Sequence, residues 1–214
     1  MRKNAMRTLV SLAAVLAAAL AAGCGSSSPG SSSSPDPATT ARAKPAYEAP
    51  AVADTPQPAP NFRLRNSLGK PVSMSQFRGK AVLLTFIYSH CPDICPLIVG
   101  NLHSALQQLG PDAKKVQVVA VSVDPKGDTA KAVNQFISNH DMTGRMEYLI
   151  GSKRQLNRAW RKYGVKVAGS PDSREVDHSA AVYGITGKGT EVALYPANFK
   201  VDWIVHDVPL LAAN

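Results

Sequence analysis

The amino-acid sequence predicts an α/β fold in which a central mixed sheet is flanked by helices. Two continuous apolar runs rich in strand formers, Ala81–Ser89 and Val116–Asp124, are typical of strands that are covered on both faces. Between them, apolar residues recur at helical spacing over Pro96–Leu109. Near the end of the chain, His178–Ile185 and Thr190–Tyr195 indicate an antiparallel pair around a turn. Strands that alternate with helices indicate helices packed on a sheet.

The other elements follow from the same patterns in chain order. A hairpin is predicted over residues 62–74, and a thioredoxin-like sheet with a right-handed βαβ unit fits the whole order. After the second buried strand the patterns predict a helix capped by Asp128 or Thr129 and ending near His140, a strand Glu147–Ile150, a helix Ser152–Tyr163, and a last amphipathic stretch after Phe199 that Pro209 limits.

The first 60 residues differ in composition from this domain, which is predicted to span residues 61–214. Residues 1–23 combine a basic start with a short apolar stretch, the layout of a secretory signal peptide. Residues 24–60 are dominated by Ser, Pro, Ala and Thr, and they are expected to form a disordered tether.

The end of the leader indicates how the chain is attached. The segment LAAGC resembles a bacterial lipobox, which predicts lipidation of Cys24 and a position on the extracytoplasmic face of the bacterial cell membrane. Ala21 stands where the lipobox usually has Leu, and an uncleaved N-terminal anchor is the alternative. Either attachment keeps the domain at the membrane.

The net charge of +9 does not indicate a nucleic-acid partner. The Lys and Arg residues are scattered, as expected for solvated helix faces, and no nucleic-acid-binding motif accompanies them. Attraction to an anionic membrane surface stays open as a secondary role for the positive charge.

The segment SHCPDICP (Ser89–Pro96) carries the clearest chemical signal, because it lies where a buried strand passes into a helix. Partial positive charge at a helix N-terminus stabilises a thiolate. The four-residue spacing places Cys91 and Cys95 on one helix face, where they could bind one metal ion or form a disulfide. A loop this short is a poor structural staple, and the junction is expected to be exposed and reactive.

Ligand chemistry narrows the metals that such a site could hold. Two thiolates favour Cu(I) or Zn(II). With two cysteines in the domain, a four-cysteine zinc site is excluded, and a third ligand has to be His or a carboxylate.

Five histidines are candidates for that third ligand. His103 is expected at the surface, His140 at a helix end, and His206 in a structural role. His90 adjoins Cys91 but is expected to point away from it. His178 opens an apolar strand and could face the cysteine loop, although the pattern alone leaves a structural role open.

Three segments together resemble the Sco/SenC family: GKAVLLTFIYSHCPDICP (79–96), SVDPKGDT (122–129) and VDHSAAVYGI (176–185). The resemblance covers about residues 61–214. It implies a thioredoxin-like fold that binds copper, as Cu(I), Cu(II) or both, through Cys91, Cys95 and His178. It also implies a role in maturing the dinuclear copper centre (CuA) of cytochrome c oxidase, with oxidase subunit II or another copper-site protein as partner.

Some residues depart from the family pattern or have simpler roles. Gly184 stands where a larger apolar residue is usual, which affects the closing hairpin rather than the ligands. Asp93 is expected to cap the helix, and Asp124 and Asp128 are interpreted as turn and cap residues.

Three functions compete at this stage, and whether the protein is an enzyme is left open. The first is a copper metallochaperone. The second is a thiol–disulfide oxidoreductase that reduces the CuA-site cysteines, in which Cys91 attacks a target disulfide and Cys95 resolves it. The third is a peroxidase, which is disfavoured because the Pro-x-x-x-Thr-x-x-Cys pattern does not precede Cys91.

Overall fold

The central strand of the sheet is β4 (Ala81–Ile87), in which every residue is buried. It pairs in parallel with β5 (Val116–Ser122) and antiparallel with β9 (Ala181–Ile185). Because both faces of β4 are covered, its sequence is continuously apolar rather than alternating. The prediction of a mixed sheet is confirmed.

The computed structural model of the protein describes residues 46–168, 177–178 and 180–214, with the backbone alone at 177–178. The remaining elements in this part of the chain are β1 (Ala51–Pro58), β2 (Arg63–Asn66), β3 (Pro71–Ser73), β6 (Met146–Ile150), β7 (Val167–Ala168), β8 (Asp177–His178), β10 (Thr190–Pro196), α1 (Ile94–Leu109), α2 (Ala130–Asn139), α3 (Lys153–Lys162) and α4 (Val201–Ala213). Two short 3₁₀ helices span Met74–Phe77 and Gly110–Lys115.

The main sheet has the strand order β1-β10-β9-β4-β5-β6-β2-β3, and β7 pairs separately with β8. Strands β4, β5 and β6 are parallel, joined through α1 and α2. Helix α1 packs beside α4, where the Asn101 amide donates to the Phe199 carbonyl at 3.2 Å. The Trp160 indole of α3 donates to the Ser122 carbonyl at 2.9 Å. The predicted arrangement of a sheet flanked by helices is confirmed.

The N-terminus of α2 confirms one of the two predicted caps. The Thr129 hydroxyl accepts the Ala132 amide N–H at 3.2 Å, while Asp128 is buried and binds elsewhere. At the other end of the chain, α4 contains Pro209 and continues to Ala213, so the expectation that Pro209 limits this helix is wrong.

Residues 51–58 are not tether but the edge strand β1, paired antiparallel with β10 through a register shift between Val52 and Gln57. All eight residues of β1 are exposed, so no apolar alternation marks the strand in the sequence. Main-chain hydrogen bonds hold it, and proline is tolerated at a sheet edge. The folded part therefore begins before residue 61, and Ala43–Asn214 form one compact unit whose core lies within the described residues.

The chain just before β1 is held by the buried carboxylate of Asp207 in α4. The Glu48 and Ala49 amides donate to its two oxygens at 2.8 and 3.0 Å. The Tyr195 hydroxyl donates to the same carboxylate at 2.7 Å, and the His206 ring nitrogen lies 2.8 Å from it. The structural role expected for His206 agrees with this contact.

We expect Asp207→Ala to lower the free energy of unfolding by about 3 kcal/mol in urea denaturation. The change leaves buried donors from the main chain and from Tyr195 unpaired, at ~1–3 kcal/mol each. The matched control is Asp202→Ala, because Asp202 is an exposed residue in the first turn of the same helix. Equal losses in the two variants would contradict a stabilising role for the buried Asp207 carboxylate.

The predicted signal peptide (1–23), Cys24 and the tether up to residue 45 lie outside the described residues. Within the described ranges, none of the helices is long and apolar enough to span a membrane.

Candidate metal centre

Cys91 lies in the turn between β4 and α1, and Cys95 lies in the first turn of α1. The Cys91 amide donates to the Tyr88 carbonyl at 3.3 Å, which closes the turn. Both cysteines are free thiols, and their side chains are within hydrogen-bonding distance of each other. The two sulfurs therefore lie together where β4 passes into α1, as the four-residue spacing predicts.

The junction is less exposed than the sequence indicated. Cys95 is fully buried and Cys91 is 8% exposed. Asp93 occupies the N-cap position, yet its side chain makes no capping hydrogen bond. Instead, the Cys91 sulfur accepts the Cys95 amide N–H at 3.4 Å. The sulfur thus takes over the role that was expected of the Asp93 carboxylate.

The environment makes the two thiols chemically unequal. Burial by itself raises the pKa of Cys91, but hydrogen bonds from the Cys95 thiol, from the Asp93 and Cys95 amides and from Tyr88 outweigh it, so the pKa of Cys91 is lowered. Burial, together with the hydrogen bond to Cys91, raises the pKa of Cys95 well above its ordinary value. Cys91 is therefore the more readily ionised of the two, as expected for a nucleophile.

The buried carboxylate of Asp128 binds the main chain at the start of the cysteine turn. One oxygen accepts the Ser89 amide N–H at 2.8 Å, and the other accepts the Tyr148 hydroxyl at 3.0 Å. Burial raises the pKa of Asp128, although hydrogen bonds from Ser122, Ser89 and Tyr148 oppose this. The sequence analysis missed this role of Asp128, because an Asp at the start of a helix is usually a cap.

Asp124 acts as a turn residue, as predicted, and accepts the Gly127 amide N–H at 2.9 Å.

An open cavity of about 280 Å³ reaches the Cys91 side of the pair. His90 lines it from the cysteine turn, and His140 lines it from the end of α2 together with Gln135 and Asn139. The His140 ring nitrogen Nδ1 lies 2.8 Å from the Phe136 carbonyl, and His90 Nδ1 lies 3.1 Å from the Ser89 hydroxyl. The cavity gives a partner group access to Cys91.

The backbone of His178 lies in β8, opposite Val167 of β7. Three residues later the chain enters β9, whose first carbonyl, that of Ala181, accepts the Thr85 hydroxyl at 2.9 Å. Since Thr85 lies near the carboxyl end of β4, and three residues span at most ~11 Å, the His178 backbone belongs to the cysteine end of the sheet. Its side chain is outside the described part of the structure, so the ligand assignment stays a prediction.

His103 does not join the site. It lies two turns along α1 from Cys95 and is half-buried rather than at the surface. Among the described side chains, which do not include that of His178, no three His, Cys, Asp or Glu residues are arranged as a metal site.

We expect iodoacetamide to alkylate Cys91 well before Cys95 in the reduced protein, with the midpoint of its pH dependence below that of an ordinary cysteine thiol. The lowered pKa of Cys91 increases its thiolate fraction at neutral pH. Mass spectrometry of the modified peptide across pH checks this. A Cys91→Ser variant serves as the control, and rapid alkylation of its Cys95 would contradict the inequality of the two thiols.

Most of the chain matches a known protein family. The family model described as SCO1/SenC matches residues 51–212. The chain is 32% identical over 154 residues to Protein SCO2 homolog, mitochondrial, of Mus musculus, which is 69% of this chain and 60% of that protein. It thus spans less than two thirds of the mouse protein.

Solved structures with the same fold include two at similar identity. The crystal structure of Arabidopsis thaliana ScoI with copper bound has a TM-score of 0.64 and 29% identity, covering 71% of this chain and 96% of that one. The solution structures of apo Sco1 from Thermus thermophilus have a TM-score of 0.65 and 32% identity, covering 75% of this chain and 94% of that one.

Proposed function

The chain belongs to the SCO1/SenC family, and from this premise we propose that it binds copper through Cys91, Cys95 and His178 and helps assemble the CuA centre of cytochrome c oxidase. Oxidase subunit II is the proposed recipient. Copper in this proposal is cargo that passes through the site.

The observation that carries the proposal is the meeting of two free sulfurs at the start of α1, where the Cys95 amide donates to Cys91 Sγ at 3.4 Å. Two thiolates with one imidazole form a soft donor set that suits copper. The copper-bound Arabidopsis ScoI supports the same choice of metal.

Proton release accompanies loading. The pKa of Cys95 is raised by burial, so at neutral pH this thiol keeps its proton until a cation displaces it. Cys91, whose pKa is lowered, is the first ligand available. Cys91 is one of the residues that line the open cavity, so a partner thiolate entering there can replace it as a ligand without unfolding the turn.

To transfer copper, the proposed metal site has to contact an oxidase that is bound to the membrane. We place the domain on the extracytoplasmic face of the bacterial membrane, with the segment before residue 46 as tether and Cys24 as the lipidated residue. The leader pattern and the LAAGC segment support this placement.

A second function, thiol–disulfide reduction, is favoured by the inequality of the two thiols. The Cys91 thiolate attacks a target disulfide and forms a mixed disulfide, releasing one target thiolate. Cys95, on losing its proton, then attacks Cys91 Sγ, which releases the second target thiol and leaves a Cys91–Cys95 disulfide. The target gains two electrons and the cysteine pair loses two.

One experiment separates the two functions. The Cu(I)-loaded domain is mixed with the soluble CuA domain of the oxidase, whose cysteines are either reduced beforehand or joined as a disulfide. Copper transfer to the reduced target is expected, and it is followed by the copper content of the target after the two proteins are separated. Thiol formation in the disulfide target without copper transfer supports the reductase instead. A Cys91→Ser protein that loads copper normally into the target that began as a disulfide contradicts both functions.

A further inference from the structure

A second cavity, of about 540 Å³, lies at the end of the sheet opposite the cysteines. Three of its lining residues lie just before parallel strands: Lys80 one residue before β4, Lys114 two residues before β5 and Arg145 one residue before β6. Parallel strands begin at one edge of a sheet, so the fold gathers these three cations there. Cys91 follows the other end of β4, about 20 Å away for a seven-residue strand.

Among the residues that the structure describes, no Asp or Glu lines this cavity. The neighbouring Asp112 is paired with Lys115 at 2.9 Å, and the ion pairs of the described residues do not include Lys80, Lys114 or Arg145. All three cations are exposed. Cations that surround a concave surface without counter-charges attract anions from solution.

The floor of the cavity differs from its rim. Leu106 and Val116, both buried, and the half-buried Ala113 form an apolar floor beneath the cations. The remaining lining residues are uncharged: Gln107, Gln117, Gly110 and Gly144. An apolar floor under a cationic rim suits a phosphate joined to an apolar body better than a free phosphate ion.

We propose that this cavity binds the headgroups of anionic phospholipids and docks the domain on the membrane surface. Docking through this end points the cysteine turn and its cavity away from the lipid, toward the extramembrane part of a membrane-bound partner. The inference concerns a different surface from the copper site and does not depend on copper binding.

The test uses the compact unit Ala43–Asn214, which lacks the leader, and sucrose-loaded vesicles. Partition onto vesicles with one third phosphatidylglycerol is expected to exceed that onto pure phosphatidylcholine by tenfold or more, and to fall as salt rises. Each basic residue contributes roughly fivefold. The variant with Lys80, Lys114 and Arg145 all replaced by Gln is therefore expected to lose the preference.

The matched control replaces three exposed cations of α3, Lys153, Arg154 and Arg158, by Gln, which makes the same change in net charge. This variant should keep the preference within threefold. Equal losses in both variants would overturn the proposal, because net charge alone would then explain binding.

Inorganic phosphate distinguishes the two sources of the anion. If millimolar phosphate perturbs the amide NMR signals around Lys114 while vesicles show no lipid preference, the site takes free phosphate and the membrane proposal is wrong. Unchanged copper loading in the cavity variant is expected, since the two sites lie at opposite ends of the sheet.

Discussion

A Cys95→Ser protein is expected to bind Cu(I) more than ~100-fold more weakly than the unchanged chain. Loss of a group that merely supports a metal ligand costs ~10–100-fold, and loss of a soft thiolate ligand to Cu(I) should cost more. The fold should survive, because Ser is close in size to the fully buried Cys95. Competition with a Cu(I) chelator measures the affinity.

The third cysteine supplies the matched control for that experiment. In protein produced without lipidation, Cys24→Ser makes the same change of a cysteine to a serine but lies outside the proposed site, so it should leave Cu(I) affinity unchanged. Retention of full affinity by the Cys95→Ser protein would mean that copper is held elsewhere on the chain.

His178→Ala is expected to abolish tight Cu(II) binding while disulfide reduction by Cys91 and Cys95 continues. Imidazole is a good ligand for Cu(II), which two thiolates alone hold poorly. We expect a loss of more than ~100-fold in Cu(II) affinity, again above the cost of losing a supporting group. A titration followed by electron paramagnetic resonance checks this, and reduction of a model disulfide is measured beside it.

His140→Ala is the sharpest control for His178, because His140 lines the open cavity at Cys91. It should leave Cu(II) affinity within a few-fold. If the His140 variant loses Cu(II) and the His178 variant keeps it, the third ligand comes from α2 and the family assignment of His178 does not apply to this chain.

The central strands were predictable because burial on both faces requires an unbroken run of apolar residues. Strands β4 and β5 are continuous apolar runs, since helices cover both of their faces. Strand β1 was missed for the converse reason: it is wholly exposed and is held by main-chain hydrogen bonds, which any residue can make. Proline-rich composition there resembled a tether.

The site was predictable only where it is local in sequence. Cys91 and Cys95 lie within one turn, so their spacing determines that they meet. The contribution of Asp128 depends on Ser89, 39 residues away, and on Tyr148, 20 residues away, which only the folded chain brings together. The sulfur in place of an Asp93 cap was not predictable either, because Asp is favoured at the N-cap and only the structure shows that its side chain makes no capping hydrogen bond.

X-ray absorption at the copper edge of the reduced, copper-loaded domain tests the central claim most directly, because it counts the atoms bound to the metal. The account predicts two sulfur neighbours and one imidazole nitrogen, with the nitrogen lost in His178→Ala. A spectrum with fewer than two sulfurs, or one that His178→Ala leaves unchanged, would contradict it.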